Sequence, residues 1–435
     1  MSNMVLSKSI GNTVKRFALC ILLCFAAVSA FSAQEEERGS NLTIKIAVMG
    51  PGDELYFWWG HIALIIDDAR TGQSRFYDYG LFSFENENFF VNFAFGRLWY
   101  TCGVSPMEGN INTYINTNRS ITLYTLDIPP EKREEVRQYA EKSILPANRD
   151  YLYHHFNHNC TNPIIQIIDL ATDGQFRELY ANEPGRYTLR QHVRRYTWFS
   201  PFFDWALNFL MGQGIDTPIT VWDEMFLPAE IGNRISEFAY IDSEGIPQPL
   251  VSEIDVVYES HDRPAILDVP RKQWPRQLIF SLGLSLILGF LFFIQSRSTA
   301  FGQISLGIIH TLFGLVFGIS GLILFFMSNF TEHDYTFHNV NLLFCNPLLL
   351  IAVPLGIRYA ASSTYNKRLR AECTLRILWL LTALGIGVTM LIKLLPQFWQ
   401  QNLTDQMLML PIAVVLALEP AGLKRMLHRI FWRWL

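Results

Sequence analysis

The sequence predicts an α+β exported domain followed by an all-α membrane domain of about five helices. Half of the 435 residues are hydrophobic and the net charge is only −4, so a purely soluble chain is not expected. The apolar residues are also unevenly placed. Scattered charges, turn residues and aromatics fill 41–270, whereas uncharged runs dominate after Arg276. Within the first part, strand-like runs stand together with helical segments between and after them, which favours α+β over an alternating parallel sheet.

At the N-terminus, Lys15 and Arg16 precede "FALCILLCFAAVSAFSA", and the acidic "QEEE" follows. A basic flank, a short apolar core and small residues at its end are the layout of a cleaved secretory signal, read here as residues 1–30, with an uncleaved anchor as the alternative. Cys20 and Cys24 make no persuasive lipidation site, because Leu22 and Leu23 stand where a small residue is wanted.

The exported domain is read as 31–276. "TIKIAVMGPG" (43–52) is a strand and turn, "HIALIIDD" (61–68) a buried strand, and "RFYDYG" (75–80) its return partner across "ARTGQS". That hairpin puts His61 and Asp78 near the same end of a two-stranded ribbon. "ENENFFVNFAF" reads as helical, "RLWYTCGV" as a strand, "SITLYTLDI" (120–128) as a strong strand, and Pro129-Pro130 opens a charged helix over 131–144.

"HHFNHNCTNPIIQIIDL" (154–170) turns from polar residues into a helix whose first turn takes Pro163 and whose buried face is Ile164, Ile165, Ile167, Ile168 and Leu170. Cys160 therefore sits at a helix N-terminus, where free backbone N–H groups and the helix dipole favour a thiolate. The same N–H groups suit an oxyanion on an acyl group attached to sulfur. Three readings of Cys160 stand side by side. A metal site would use His154, His155 and His158, but the spacing fits no paired ligand pattern, and neither a metal nor a cofactor is expected. A disulfide would join Cys102, the other cysteine of the exported domain, as is common in an oxidising compartment. A nucleophile needs a base, and His61 at the head of a buried strand supplies one, with Asp78 placed to hold the imidazole.

The membrane domain is read as 277–435. Apolar runs at 277–295, 304–327, 341–357 and 374–395 are span candidates, the third short and broken by prolines, and 407–418 is a shorter fifth. Arg297, the cluster Arg358, Lys367, Arg368 and Arg370, and the tail with Lys424, Arg425, Arg429 and Arg433 mark one side as cytoplasmic. The loops 328–340 and 396–406 carry no Lys or Arg. The positive-inside bias then puts residues 31–276 outside, as the signal requires, with a cytoplasmic C-terminal tail whose Trp432 and Trp434 suit the interface. The aromatic stretches "YFWWG" and 196–212 suit contact with lipid, the latter as an interfacial amphipathic helix or as core. Arg186 and Arg190 offer guanidinium forks for lipid phosphate. His333, in an outward loop beside the broken span, is a further functional candidate. No nucleic-acid-like basic run is present.

"GHIALII", followed about a hundred residues later by "HNCTNPIIQIID", resembles the circularly permuted papain-like (NlpC/P60 and LRAT-like) arrangement, in which histidine precedes cysteine. The combination of signal, "GHIALIID", "FYDYG", "NHNCTNP", "GRYTLRQ" and a membrane domain with "NLLFCNPLLL" more closely resembles the Lnb-type lipoprotein N-acyltransferases of Bacteroidetes. The resemblance implies that Cys160 is the acyl-accepting nucleophile and His61 its base; Asp78 as orienter comes from the hairpin alone. It implies a phospholipid or lipoprotein acyl donor, a diacylated lipoprotein acceptor, and an inner-membrane protein with a periplasmic catalytic domain. Trp59, His158, Asn159, Arg186, Arg190 and His333 are the candidate substrate contacts. A membrane-anchored cysteine amidase or peptidase acting on cell-wall peptides is the main rival, and a non-catalytic lipoprotein-binding or transport module is a second.

Overall fold

The computed structural model describes residues 39–83, 88–295 and 300–418. The signal read at 1–30 and the tail with Trp432 and Trp434 lie outside the described residues. Internal packing divides the chain into two compact units. Among the described residues, the first takes 39–83, Leu98–Arg186 and Thr220–Arg263; the second takes 88–97, Tyr187–Ile219, 264–295 and 300–418. Two stretches of the expected exported domain therefore pack within the same unit as the apolar helices.

The first unit is built on a seven-stranded sheet. Its strands are β1 (Leu42–Met49), β2 (His61–Asp68), β3 (Gln73–Leu81), β4 (Leu98–Pro106), β5 (Ile121–Leu126), β6 (Asp150–Tyr153) and a last strand, Val251–Tyr258, in the order β6-β4-β3-β2-β1-β5 with Val251–Tyr258 at the far edge. Every pairing is antiparallel. β2 is central and buried from Ile62 to Ile66, so it reads as a continuous apolar run because both faces are covered. Ile44, Ile46, Ile62, Leu64, Tyr77 and Tyr79 face the main core, which helices α1 (Pro130–Ser143) and α2 (Thr161–Ala171) complete. Ala47, Ala63, Ile65 and Phe76 face the other way, where helix Met107–Asn116 contributes Ile111.

Local chemistry explains the helices. Pro130 occupies the first turn of α1, where its missing N–H costs nothing, and Val136 and Ala140 bury one stripe. Glu134 is buried on the same helix because Arg137 holds it through two bonds of 2.6 and 2.8 Å. In α2 the isoleucines at 164, 165, 167 and 168 are all buried.

In the second unit, α3 (Leu189–Thr197) opens on a capping box between Thr188 and Gln191, and α4 (Pro201–Leu210) follows. The single interfacial helix expected over 196–212 is thus divided. Pro201 disfavours helical geometry at the preceding residue, and Ser200 is extended at φ −113° and ψ 92°. On α4, Phe202 is 65 % exposed while Asp204, Asn208 and Phe209 are buried.

Among the described residues, four segments are long and apolar enough to cross a membrane: α5 (Trp274–Gln295), α6 (Ala300–Phe330), a broken segment over Val340–Ala361, and α7 (Tyr365–Ile392). The candidate at 407–418 forms part of α8 (Leu403–Leu418), whose 16 residues span roughly 24 Å at about 1.5 Å each, against a hydrocarbon core of roughly 30 Å. In the broken segment, short 3-10 turns at Val340–Leu343 and Pro347–Ile351 precede helix Ala352–Ala361. Irregular backbone at this depth needs internal partners. Asn339 and Asn346 provide them, accepting from the amides of Asn341 and Leu348 at 3.0 and 3.1 Å. Helix Ala352–Ala361 lies hard against α6: a β-carbon on Gly307 would stand 2.5 Å from the carbonyl oxygen of Gly356, so only small residues allow that crossing.

Candidate active site

The register of β2 with β3 sets Asp78 opposite Ala63, which places it one pleat along from His61 on the same face of the sheet. The two side chains meet there. His61 Nε2 and Asp78 Oδ1 are 2.9 Å apart, with side chains only 13 % and 12 % exposed. The Gly80 amide donates to the same Oδ1 at 2.7 Å and fixes the carboxylate's orientation. Burial alone would push the His61 pKa down and that of Asp78 up. The attraction between them wins in both cases, so His61 titrates well above the ordinary histidine value, helped by Tyr114 and Cys160, and Asp78 below the ordinary carboxylate value. With Nε2 committed to Asp78, Nδ1 is the nitrogen left for chemistry.

Gly80 belongs to this site for a steric reason that its sequence context does not advertise. A β-carbon there would stand 2.6 Å from His61 Cε1 and 3.3 Å from Nδ1. Gly80→Ala is expected to displace the imidazole and lower any activity using the pair by about 10²-fold, the scale of an ångström-sized misplacement. Turnover measured beside the thermal midpoint checks this, with the midpoint expected to move far less than the rate.

Cys160 precedes α2 and itself has helical dihedrals, φ −61° and ψ −20°. The capping residue is Asn159. Its Oδ1 accepts from the Thr161 amide at 2.8 Å and the Thr161 hydroxyl at 2.7 Å, and its own amide donates to Asn162 Oδ1 at 2.8 Å. The Asn159 Nδ2 group donates to the carbonyls of His155 and Phe226, both at 3.0 Å. Asn159 thus supports the turn that carries Cys160 and has spent its polar atoms on protein. The body of α2 packs on the Ile62–Leu64 face of the sheet, while His61 is the first residue of β2. Thiol and imidazole come within range of each other's charge at that end. Tyr114 stacks on the imidazole at 6.5 Å between ring centres, and Arg119 completes the charged surroundings.

The histidines next to Cys160 build the loop. His154 Nδ1 accepts the amide of Asn157 at 2.9 Å, the backbones of His154 and His158 bridge each other, and His158 Nδ1 lies 3.1 Å from the Leu152 carbonyl. Among the described residues no group of three or more His, Cys, Asp or Glu side chains is arranged to hold a metal ion. Cys102 and Cys160 are both buried free thiols, and burial pushes the Cys102 thiol up to about 12. Trp59 is half-buried in the turn before His61, its ring tilted against that of Trp58 with centres 6.4 Å apart.

The remaining candidates belong to the second unit or to the end of the first. Arg186 is exposed. Arg190 does not stand where a lipid phosphate reaches it: it is fully buried, pairs with Asp216 at 2.8 Å and donates to the carbonyls of Asn208, Met211 and Gly212. It braces the segment that follows α4. His333 is also buried. Its Nε2 lies 3.0 Å from the Phe93 carbonyl, and the Tyr335 hydroxyl lies 2.8 Å from its Nδ1. It ties the loop after α6 to the short helix Phe89–Phe95.

A family model of the Lnb N-terminal periplasmic domain matches residues 32–195, and one of the Lnb transmembrane domain matches 274–419. The chain belongs to the Lnb family. No curated protein and no solved structure matches it. As an Lnb-family member it is a multi-pass membrane protein with a periplasmic N-terminal domain, and His61, Asp78 and Cys160 all fall within the stretch matched to that domain. The sequence assigns no role of their own to Gly80, Tyr114 or Arg119; their parts in the site depend on contacts made in the folded sheet.

Proposed function

We propose that this Lnb-family protein is a lipoprotein N-acyltransferase of the bacterial inner membrane, moving a lipid acyl chain through a Cys160 thioester to the N-terminal amine of a diacylglyceryl-cysteine lipoprotein. The observation that carries the reading is the buried His61–Asp78 pair within charge range of a cysteine at the start of a helix. Histidine and carboxylate on adjacent strands, preceding the cysteine in the chain, are the elements of a permuted papain-like site.

The chemistry proceeds in two halves. In the first, the thiol proton resides on His61 and the Cys160 sulfur attacks an ester carbonyl of a donor lipid. The ester C–O bond breaks, His61 protonates the departing alkoxide, and a thioester remains. In the second, the lipoprotein amine attacks the thioester, His61 takes the amine proton, and the C–S bond breaks to leave an amide. Asp78 keeps the imidazole oriented in both and stabilises the imidazolium whenever His61 holds the proton. No cofactor enters. A lipid donor and a lipid-anchored acceptor both lie in the bilayer, and the membrane spans tether the chain to it.

Hydrolysis by the same site, with water as acceptor, is the competing reading. Transfer is favoured by the membrane helices, which are more than a hydrolase anchor requires. Mass spectrometry of lipoprotein N-terminal peptides from cells with and without the protein tests it. Loss of the amide-linked chain on deletion is expected; an unchanged amide-linked chain would overturn the proposal.

A further inference from the structure

An acyl-transfer site must hold negative charge on the carbonyl oxygen as the tetrahedral intermediate forms, usually with two hydrogen-bond donors. A helix start is the obvious source, but here most of it is already used. The Thr161 amide is bonded to Asn159 Oδ1 at 2.8 Å, the Asn162 amide lies 3.3 Å from the Asn159 carbonyl, and Pro163 has no N–H. From that turn, the amide of Cys160 is the donor left without a partner among the described residues. A second donor has to come from elsewhere.

Arg119 has the properties required. It lies just before β5 and is 3 % exposed. Its Nε donates to the Gly50 carbonyl at 3.0 Å, and its guanidinium lies over the rings of Phe57 and Tyr114 at 4.5 and 4.7 Å. These contacts leave the fork little freedom. Nη2 is buried with no hydrogen-bond partner among the described residues. The groups whose charge it meets are Tyr114, Arg263, Cys160 and Glu54, and it also acts on Asp78. Arg263 is already committed, through both terminal nitrogens, to Asp53 at 2.8 and 3.2 Å. A fixed, buried cationic donor, lying over the Tyr114 ring that itself stacks on His61 and within charge range of Cys160, marks a place where an anion develops during turnover.

The geometry points to Arg119 Nη2, together with the Cys160 amide, as the oxyanion-binding pair of this site; the inference rests on the acyl-transfer reading above. When the Cys160 sulfur adds to the ester carbonyl carbon, the C–S bond forms and the carbonyl π pair moves onto oxygen. Arg119 and the amide stabilise that oxygen until the pair returns and the C–O bond to the lyso-lipid breaks, with His61 supplying the proton. Amine attack on the thioester places the same charge on the same oxygen, and its collapse expels the Cys160 sulfur. Arg119 is thus a catalytic residue for both halves, without taking or giving a proton.

The test uses full-length protein in detergent micelles containing a synthetic phospholipid of defined chains. Single-turnover thioester formation on Cys160 is followed by intact mass, and in parallel the plateau rate of Cys160 alkylation by iodoacetamide, which passes through no oxyanion, is followed by peptide mass. Arg119→Gln is expected to slow thioester formation by about 10²–10³-fold while changing the alkylation plateau by less than about threefold. Arg119→Lys is expected to recover only part of the loss, because an ammonium lacks the fixed fork. Acylation by Arg119→Gln at the wild-type rate would overturn the assignment, as would an equal fall in alkylation, which marks a collapsed site. A larger loss in Tyr114→Phe would overturn it too and move the donor to the phenol. Absence of any thioester in the wild type would instead sink the acyl-transfer reading, and this assignment with it.

Discussion

Cys160→Ala protein is expected to fold, insert and bind lipid, yet to form no thioester and to leave lipoprotein N-termini unacylated, a loss on the order of 10⁴-fold or more because the nucleophile is gone. The substitution removes one sulfur atom from a side chain 8 % exposed, so the turn held by Asn159 stays capped. Cys102→Ala is the matched control. Its thiol is equally buried and belongs to the same core, but burial pushes its pKa to about 12, so it stays a neutral packing residue near neutral pH and its removal should leave transfer intact. Cys160→Ser should fall with Cys160→Ala, since a hydroxyl is a far poorer nucleophile in a site set up for sulfur. The measurement is the mass of the N-terminal lipopeptide in complemented cells, with protein level checked by blotting. Full N-acylation by Cys160→Ala would remove the covalent step altogether.

How legible all this was in the sequence depends on how local each signal is. β2 over His61–Asp68 and α1 over Pro130–Ser143 were readable because an apolar run bounded by turns and a Pro-Pro helix start are written in adjacent residues. The proximity of His61 to Asp78 followed from a single hairpin register. The strand Val251–Tyr258 was not anticipated: its glutamate and aspartate make it look like a loop, and it is a strand because β5 offers an unpaired edge. Arg190 looks like a lipid-phosphate contact in the sequence because its guanidinium offers a fork of donors. Its burial depends on Asp216 and three carbonyls 18 to 26 residues further on, which no local pattern announces. Arg119 and Gly80 were invisible for the same reason. One matters through the rings that flank its guanidinium, the other through the side chain it does not have.

Asp78→Asn separates orientation from charge at the catalytic pair. Asparagine keeps an oxygen for the Gly80 amide, but loses the negative charge that outweighs burial in holding the His61 pKa high. The sign follows directly. Acylation uses His61 in its protonated form, so the single-turnover rate falls on the alkaline side as that proton is lost. Lowering the His61 pKa moves this limb toward lower pH, by more than about one unit given the usual size of a close charge effect. The shift is read in single-turnover thioester formation followed across pH by intact mass. At the optimum the rate should still fall by about 10²–10⁴-fold, because a neutral amide stabilises the imidazolium poorly and also accepts the wrong tautomer. A variant with the wild-type pH limb and rate would mean that Asp78 only packs beside the histidine, and the base would then need another partner. A limb moved to higher pH would contradict the electrostatics themselves, since no remaining group near His61 gains negative charge when Asp78 loses it.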